Sequence, residues 1–193
     1  MSTQDQSAQL QPQRKELILT AALHTIAREG VAGLSLRAVA TQANVALGSI
    51  AYYFTDKDGL INAAFHDFAQ RSVEQFRSFY EDATTLEEAR AATVSMLSAT
   101  AGSRTDIILG SELYSLSLRR PRHRMILLEW TRACQDVMRT YFDEATTLAL
   151  DALYEGAILH HAMHVGATST ERITLAVERL TPPESFIFGK SSP

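Results

Sequence analysis

The stretch LSLRAVATQANVALGSIAYYFTDKDGL, residues 34–60, decides the fold of this chain. Two short apolar patterns flank a polar turn at Asn44, and small polar and aromatic residues then stand where a helix would be exposed. This arrangement is typical of a helix-turn-helix, whose second helix can enter the major groove of DNA. The stretch therefore predicts recognition of a DNA sequence rather than chemistry.

Helical periodicity extends in both directions from this stretch, and no run alternates with period two for long. We therefore expect an all-α protein of about nine helices. Upstream, Ile18, Ala22 and Ile26 recur every four residues in a helix that starts at Pro12 and stops at Gly30. Downstream, the segment TTLE at residues 84–87 has the pattern of a capping box that opens a fifth helix.

The predicted organisation has four parts: a disordered polar tail at 1–11, a helix-turn-helix domain at 12–58, a second helical domain at 59–181 and a tail at 182–193. The division between the two domains falls at the fourth helix, which Thr55 or Asp56 would cap, so the domains would share this helix. The last segment begins with two prolines and is expected to leave the fold.

Composition is that of an ordinary soluble protein, with 193 residues of which 46% are hydrophobic and 21% charged. The single cysteine, Cys134, excludes an intrachain disulfide and a multi-cysteine metal site. No signal peptide or membrane-length apolar segment is apparent, so we expect a cytoplasmic location. The net charge of −4 is uneven, because residues 1–57 carry five basic and four acidic side chains. A positive docking face is thus permitted.

DNA contacts are expected on the exposed side of the third helix. Gly48 and its small neighbours let the backbone approach base edges, and tyrosine hydroxyls can reach phosphates or bases. Arg37 could reach a phosphate or a guanine, and Lys57 a phosphate at the start of the fourth helix. Asn44 suits the turn because it tolerates the left-handed conformation. The predicted contacts are Ser35, Arg37, Ala46, Leu47, Gly48, Ser49, Tyr52, Tyr53 and Lys57.

Residues 14–65, RKELILTAALHTIAREGVAGLSLRAVATQANVALGSIAYYFTDKDGLINAAF, resemble the amino-terminal domain of the TetR/AcrR family of transcriptional regulators. The specific elements are the segments LSLRAVA, NVALGSI and YYFTDKDGL in this order. Beyond residue 65 the resemblance is one of helical architecture only, to about residue 180. The family pattern has Gly at the position of Asn44 and Tyr at that of Ala51, so the base preference does not transfer to this chain.

The resemblance implies a homodimer that binds a palindromic operator and is released by a small molecule, with repression as the usual outcome and activation as the alternative. A small-molecule pocket needs apolar walls and a few convergent polar groups. The predicted lining residues are Phe76, Arg104, Glu112, Tyr114, Trp130, Cys134 and Met138. Taken singly, each of these residues is better explained as part of an ordinary core.

The last two helices carry a stripe of small and apolar residues that would form a dimer interface, paired across a two-fold axis as a four-helix bundle. The predicted interface residues are Ala149, Leu153, Gly156, His160, Ile173, Ala176, Val177 and Leu180. The alternative is that this stripe packs within one subunit. His160 and His164 also have metal-ligand spacing, with His161 beside them, but no acidic or cysteine partner is near in sequence, so no metal is predicted.

A basic cluster surrounds Pro121 and consists of Arg119, Arg120, Arg122 and Arg124. It could be a second nucleic-acid patch or a solvated loop. No nucleophile elbow, phosphate loop or carboxylate pair occurs, so we expect neither enzyme activity nor a cofactor. Two alternatives to a DNA-binding regulator remain: a helical small-molecule-binding protein or enzyme, and a protein-interaction module.

Overall fold

The computed structural model describes the backbone of residues 3–163 and 169–189, and the side chains of residues 12–161, 163 and 169–189. Within those ranges the regular elements are helical, which confirms the all-α prediction. The helices are α1 (Thr3–Gly33), α2 (Leu36–Gln42), α3 (Leu47–Tyr53), α4 (Lys57–Ser78), α5 (Leu86–Gly102), α6 (Arg104–Arg119), α7 (Pro121–Arg139), α8 (Glu144–Ala162) and α9 (Thr170–Leu180), followed by a short 3-10 helix at Pro183–Ser185. None of them is both long and apolar enough to cross a bilayer.

The chain divides into two compact units, which we call the first and second units. The first is made of Met1–Ala69 with Ile108–Leu127, and the second of Gln70–Ile107 with Leu128–Pro193. Helices α4, α6 and α7 therefore contribute residues to both units. In the first unit α2 packs against α1 and α3. Its most deeply buried side chains include Ile18, Ile26, Val39, Ile50, Leu60 and Phe65.

The second unit has α5 packed against α8 and α9. Tyr80 is buried in its core, where the ring stacks on Phe76 and Tyr141 and the hydroxyl lies 2.8 Å from the Thr93 hydroxyl. The Tyr141 hydroxyl donates to the Tyr80 carbonyl oxygen at 2.7 Å. Burial raises the pKa of Tyr80 well above its ordinary value, because an ionised oxygen there would lose its hydration. Since these hydroxyls have partners, this aromatic core favours one arrangement.

Helix α1 differs from the prediction at its start and agrees with it at its end. It begins at Thr3, so Pro12 lies inside the helix and residues 3–11, expected to be disordered, belong to it. A proline removes one backbone hydrogen bond, and the Gln, Ser and Ala residues before it are acceptable helix formers. The predicted stop at Gly30 is confirmed, because its φ of 71° and ψ of 169° break the helix before one last turn.

Side-chain caps fix where several helices begin. The predicted capping box is present but one residue later: the Thr85 hydroxyl accepts from Glu88 N at 3.2 Å, and the Glu88 carboxylate accepts from Thr85 N at 3.0 Å. Glu88 also accepts from Thr84 N at 2.8 Å, which selects this register, and these donors lower the pKa of its carboxyl. Asp143 caps α8 by accepting from Thr146 N at 2.8 Å, so α8 begins earlier than the predicted residue 146.

The prediction that the carboxy-terminal segment leaves the fold is wrong for its described part. Ile187 N donates to the Tyr141 carbonyl at 2.8 Å, and Phe142 forms an isolated bridge with Phe186. The Phe188 ring stacks on Tyr141 with centroids 5.2 Å apart. The two prolines do end α9, but the apolar sequence Phe-Ile-Phe after them returns to the core because burying these side chains removes a large apolar area from water.

Candidate nucleic-acid interface

The turn between α2 and α3 has the geometry that a helix-turn-helix requires. Asn44 is the one non-glycine residue with a positive φ, 52°, in the described part of the chain. Val45 N donates to the Ala40 carbonyl at 3.0 Å and closes the turn. Asparagine occupies this left-handed region at lower cost than most residues because its short amide can bond locally. The replacement of the family's glycine by Asn44 therefore leaves the turn intact.

Helix α3 buries one face and exposes the other. Ile50 is fully buried against the rest of the unit, whereas Leu47 and Tyr52 are 43% and 70% exposed. A side chain added at Gly48 would meet no atom within 4 Å, so the backbone there is open to an approaching partner. Tyr52 stands edge-on to Tyr53, with ring centroids 4.9 Å apart. The exposed surface is thus small and apolar at the start of the helix and aromatic at its end.

The other predicted DNA contacts at α3 differ in how exposed their side chains are. Ala46 is exposed, while Ser49 and Tyr53 are half-buried. The Tyr53 ring also lies 6.3 Å from that of Phe54, a core residue. Tyr53 therefore contributes to packing as well as to the surface, and Tyr52 is the more accessible of the two tyrosines.

The residues that flank α3 present polar groups beside it. The Ser35 hydroxyl caps α2 by accepting from Ala38 N at 3.2 Å, which leaves its proton able to donate. Arg37 is exposed, and its guanidinium pairs with no carboxylate in the part of the chain described. Lys57 Nζ donates to the Ala32 carbonyl at 3.2 Å, so this lysine also ties the start of α4 to the end of α1.

Helix α6 supplies the first unit with a carboxylate that sequence reasoning placed in the ligand pocket. Glu112 accepts a hydrogen bond from Val31 N at 3.2 Å, immediately after the break at Gly30. A Cβ at Gly30 would come within 3.0 Å of the same carboxylate. Glu112 thus has a structural partner at the end of α1, and Tyr114, the other predicted ligand residue of α6, also belongs to the first unit. No sequence signal connects residues 31 and 112.

The α6–α7 turn, residues 117–124, is held by several bonds within the first unit. Arg120 Nη1 lies 2.6 Å from Asp58 Oδ2 in the first turn of α4, and the Ser117 hydroxyl donates to the His123 carbonyl at 3.1 Å. His123 is buried, with no hydrogen-bond partner at either ring nitrogen. Burial lowers its pKa below the ordinary value, while the Asp58 charge opposes this shift, so the ring is neutral at pH 7.

Five of the predicted ligand residues belong to the second unit. Two of the five lie in its core, and the pKa of a third, Cys134, is shifted by its surroundings. Phe76 and Met138 are buried, and Arg104 is exposed. Trp130 is half-buried, and its side chain interacts with that of Cys134. Burial, together with the charges of Asp151 and Glu155, raises the pKa of the Cys134 thiol to about 12.

Sequence reasoning missed a set of residues on α5, α6 and α8 that surround the same thiol. The Tyr154 hydroxyl bonds with Thr100, and burial together with Glu155 and Asp106 raises its pKa. Its ring lies edge-on to Phe76, with centroids 6.4 Å apart. Asp151 accepts from Gln135 Nε2 at 2.9 Å. Aromatic rings and carboxylates therefore meet within the second unit, a pairing that single-helix periodicity cannot predict.

The predicted dimer residues fall into two groups. Ala149, Gly156 and His160 are half-buried or exposed on α8. By contrast, Ile173 and Val177 are 4% and 0% exposed in the core of the second unit. They cannot form a surface, so their assignment to the interface is corrected: this part of the stripe packs within one subunit. The other members are Leu153 and Leu180, which pack partly against that core, and half-buried Ala176.

A different stripe on α8 is apolar and exposed. Leu148, Leu159 and Met163 are 47%, 51% and 55% exposed, and exposed Ala152 and half-buried Gly156 lie between them at helical spacing. A side chain added at Gly156 would meet no atom within 4 Å. Contiguous apolar surface of this kind is typical of an interaction site. Apart from Gly156, which both contain, this stripe lies one residue earlier along α8 than the predicted one.

The histidine cluster of α8 is only partly described. His160 and His161 are exposed, and His164 lies outside the described residues. Among the residues that the structure describes, no group of three histidine, cysteine, aspartate or glutamate side chains is placed to hold a metal ion. His160 and His161 are surface residues in the last turn of α8.

Residues 18–64 match the family model of bacterial regulatory proteins, tetR family. Over 50 residues the chain is 44% identical to the HTH-type transcriptional regulator BetI of Paraburkholderia phytofirmans, and the match covers 26% of each protein. The chain thus matches about a quarter of the length of this curated relative. The family match coincides with the helices that carry the turn at Asn44 and the exposed face of α3.

Solved structures are similar over most of the chain. SCO7518 of Streptomyces coelicolor A3(2), a candidate transcriptional regulator, is 37% identical with a TM-score of 0.81, over 88% of this chain and 99% of that one. SCO1917 of Streptomyces coelicolor A3, a member of the TetR family, is 31% identical with a TM-score of 0.71, over 88% and 98%. The multidrug binding protein EbrR, complexed with imidazole, is 30% identical with a TM-score of 0.73, over 89% and 91%, and is also known in complex with malachite green.

Proposed function

The chain belongs to the TetR family of bacterial regulatory proteins, and from this premise we propose that it is a DNA-binding transcriptional regulator and not an enzyme. In this proposal the protein is a homodimeric repressor of a palindromic operator in the cytoplasm, and a small molecule bound in the second unit releases it. The sign of regulation rests on the family resemblance, with activation as the alternative. The observation that carries the DNA-binding proposal is the exposed face of α3.

That face has the properties of a reading helix. Its first turn is narrow, because Ala46, Leu47 and Gly48 have small or aliphatic side chains, so the helix can enter a groove about 12 Å wide. Leu47 suits contact with a thymine methyl group, and the exposed Tyr52 hydroxyl can bond to a base edge or a phosphate. Helices related by a two-fold axis read half-sites one helical turn apart, about 34 Å. A palindromic target follows from that symmetry.

The first prediction concerns Tyr52. An operator is selected from a pool of random duplex DNA and confirmed by gel shift with the unaltered protein. Tyr52→Ala is then expected to weaken operator binding by about tenfold, the cost of one good base or phosphate contact. Its unfolding midpoint in urea should stay unchanged, because the side chain is 70% exposed.

Tyr52→Phe is the matched control, since it keeps the ring and removes only the hydroxyl. Full affinity in this variant would assign the contribution to ring contact, and a loss equal to that of the alanine variant would assign it to the hydroxyl. Failure of the unaltered protein to select any duplex at physiological salt would contradict the proposed function itself.

The effector proposal rests on the aromatic and acidic groups of the second unit. Half-buried Trp130 and Tyr154 supply aromatic rings, and Asp106 and Glu155 bring negative charge near the Tyr154 hydroxyl. Rings attract organic cations through their electron-rich faces, and carboxylates complement the charge. EbrR, a structural relative, binds the cationic dye malachite green. We therefore propose that the effector is an aromatic organic cation.

The second prediction uses the fact that Trp130 is the one tryptophan in the sequence. Malachite green is expected to quench its fluorescence saturably and to abolish the operator gel shift over the same concentration range. A matched anionic dye of similar size is the control and should do neither. Quenching that stays linear with dye concentration, or operator release by both dyes alike, would contradict the proposal for this effector class.

A further inference from the structure

The α6–α7 turn carries four arginines, and only two of them are held by bonds among the described residues. Its four arginines lie within six residues, and no acidic residue stands among them. Arg120 pairs with Asp58, and Arg124 Nε donates to a backbone carbonyl at 3.4 Å. Arg119 and Arg122 are exposed, and neither pairs with a carboxylate in the described part of the chain. These two guanidinium groups are available to a partner.

Contacts within the first unit connect this turn to the residues proposed to face DNA. The Arg120–Asp58 pair joins the turn to the first turn of α4, one residue from Lys57. Lys57 in turn bonds to the Ala32 carbonyl, three residues before Ser35 caps α2. The turn is thus attached to the helix start where a phosphate contact is expected, and helix starts favour anions.

The distribution of net charge also associates the α6–α7 turn with DNA binding. Residues 1–69 carry five basic and six acidic side chains, a net charge of −1. Residues 108–127 add four arginines and Glu112, so the first unit has a net charge of +2, while the second unit, with nine basic and fifteen acidic residues, has −6. The α6–α7 turn therefore makes the DNA-reading unit positive. Neutralising phosphates is the main sequence-independent contribution to DNA affinity.

We propose that Arg119 and Arg122 form an accessory DNA contact that binds backbone phosphates beside the site read by α3. This inference rests on the proposed function. Arginine suits the role because its planar guanidinium can donate two parallel hydrogen bonds to one phosphate. Phosphate contacts position a protein on the duplex and carry no sequence information, so this contact strengthens binding to operator and to unrelated DNA alike.

The third prediction tests this contact with the double variant Arg119→Gln/Arg122→Gln. Operator affinity is measured by fluorescence anisotropy over about 50 to 200 mM salt, a range in which phosphate contacts make affinity strongly salt-dependent. Two lost phosphate contacts should lower the slope of log affinity against log salt by about two and weaken binding by roughly tenfold or more near 0.1 M salt. Binding to a scrambled duplex should fall by the same factor, so the specificity ratio stays constant.

The control is Arg77→Gln/Arg132→Gln, which removes the same charge from exposed residues of the second unit. It should leave the salt slope unchanged, because these two residues belong to the second unit, for which no phosphate contact is proposed. Tyr52→Ala is the second comparison, since it should reduce the specificity ratio that the arginine variant preserves. Circular dichroism and the unfolding midpoint check that both double variants fold like the parent.

An unchanged salt slope in the arginine variant, with the parent binding its operator, would overturn the accessory contact and leave the proposed function standing. Loss of a co-purifying protein without any change in DNA affinity would also overturn it, and would assign the turn to a protein partner through Leu118 and Met125, which are 80% and 51% exposed. If the parent binds no DNA at any salt concentration, the proposed function fails instead.

Discussion

Replacing Leu159 with aspartate is expected to convert the proposed dimer to a monomer and to remove the tight binding proposed for a palindromic operator. Leu159 is 51% exposed in the apolar stripe of α8, between Gly156 and Met163. If this stripe pairs across a two-fold axis, each subunit buries the new carboxylate, so the charge enters the interface twice. An unpaired charge in a buried apolar contact costs about 3 kcal/mol or more, which corresponds to at least about a hundredfold in the dissociation constant.

Analytical ultracentrifugation at micromolar concentration measures the mass, and a gel shift with full and half operators measures the consequence for DNA. The variant should sediment as a monomer and should bind the full palindrome no better than the half-site. Leu118→Asp is the matched control, because it places the same charge on a leucine that is 80% exposed in the first unit. A dimer that survives Leu159→Asp but dissociates with Leu118→Asp would place the subunit contact on the α6–α7 turn.

This prediction depends on a side chain that sequence reasoning did not choose. Small residues at helical spacing predicted a contact face on α8 that contains Ala149 and Leu153, whereas the exposed apolar stripe contains Leu148 and Leu159. The two stripes are adjacent on one helix, and both contain Gly156. Only the packing of α5 and α9 against α8 decides which stripe is covered within the subunit. Helical periodicity predicts that a helix has an apolar face, but tertiary contacts decide which element packs against that face.

The helix-turn-helix at residues 34–60 was predictable because the sequence signals that define it are local. Ser35 caps α2 through a bond to residue 38, Asp56 caps α4 through Gly59 N at 2.7 Å, and Asn44 adopts the positive φ of the turn. Each of these depends on residues three or four apart, so the chain order displays it directly. The exposure of Tyr52 follows from the same spacing, because Ile50 has to face the core.

The body of the protein was less predictable because its decisive contacts are distant in sequence. Arg90 Nε donates to the Thr181 hydroxyl at 2.8 Å, across ninety-one residues. Shorter but still long separations, 44 residues from Phe142 to Phe186 and 47 from Tyr141 to Phe188, likewise hide the return of the two phenylalanines to the core. Helices α7 and α8 bring Cys134 and Tyr154 close enough to interact. Ligand candidates chosen one helix at a time included Cys134 but missed Tyr154. A local pattern cannot show such pairs.

Replacing Gly30 with alanine is expected to lower the free energy of unfolding by about 2–3 kcal/mol. Gly30 has a φ of 71° and a ψ of 169°, a region that only glycine occupies readily, and other residues pay about 1–3 kcal/mol there. The new Cβ would also come within 3.0 Å of a Glu112 carboxylate oxygen that faces the end of α1. Because Glu112 accepts from Val31 N, moving it away would weaken that bond. Urea unfolding followed by circular dichroism measures the loss.

Two further variants separate backbone strain from crowding. Gly102→Ala is the control, since a Cβ there would meet no atom within 4 Å at the end of α5, and it should be neutral or slightly stabilising. Adding Glu112→Ala to Gly30→Ala removes the crowding and keeps the strain, so a double-mutant cycle yields the crowding contribution as a coupling energy. If Gly30→Ala unfolds at the same urea concentration as Gly102→Ala, the break in α1 does not need its positive φ, and the assigned role of Gly30 is wrong.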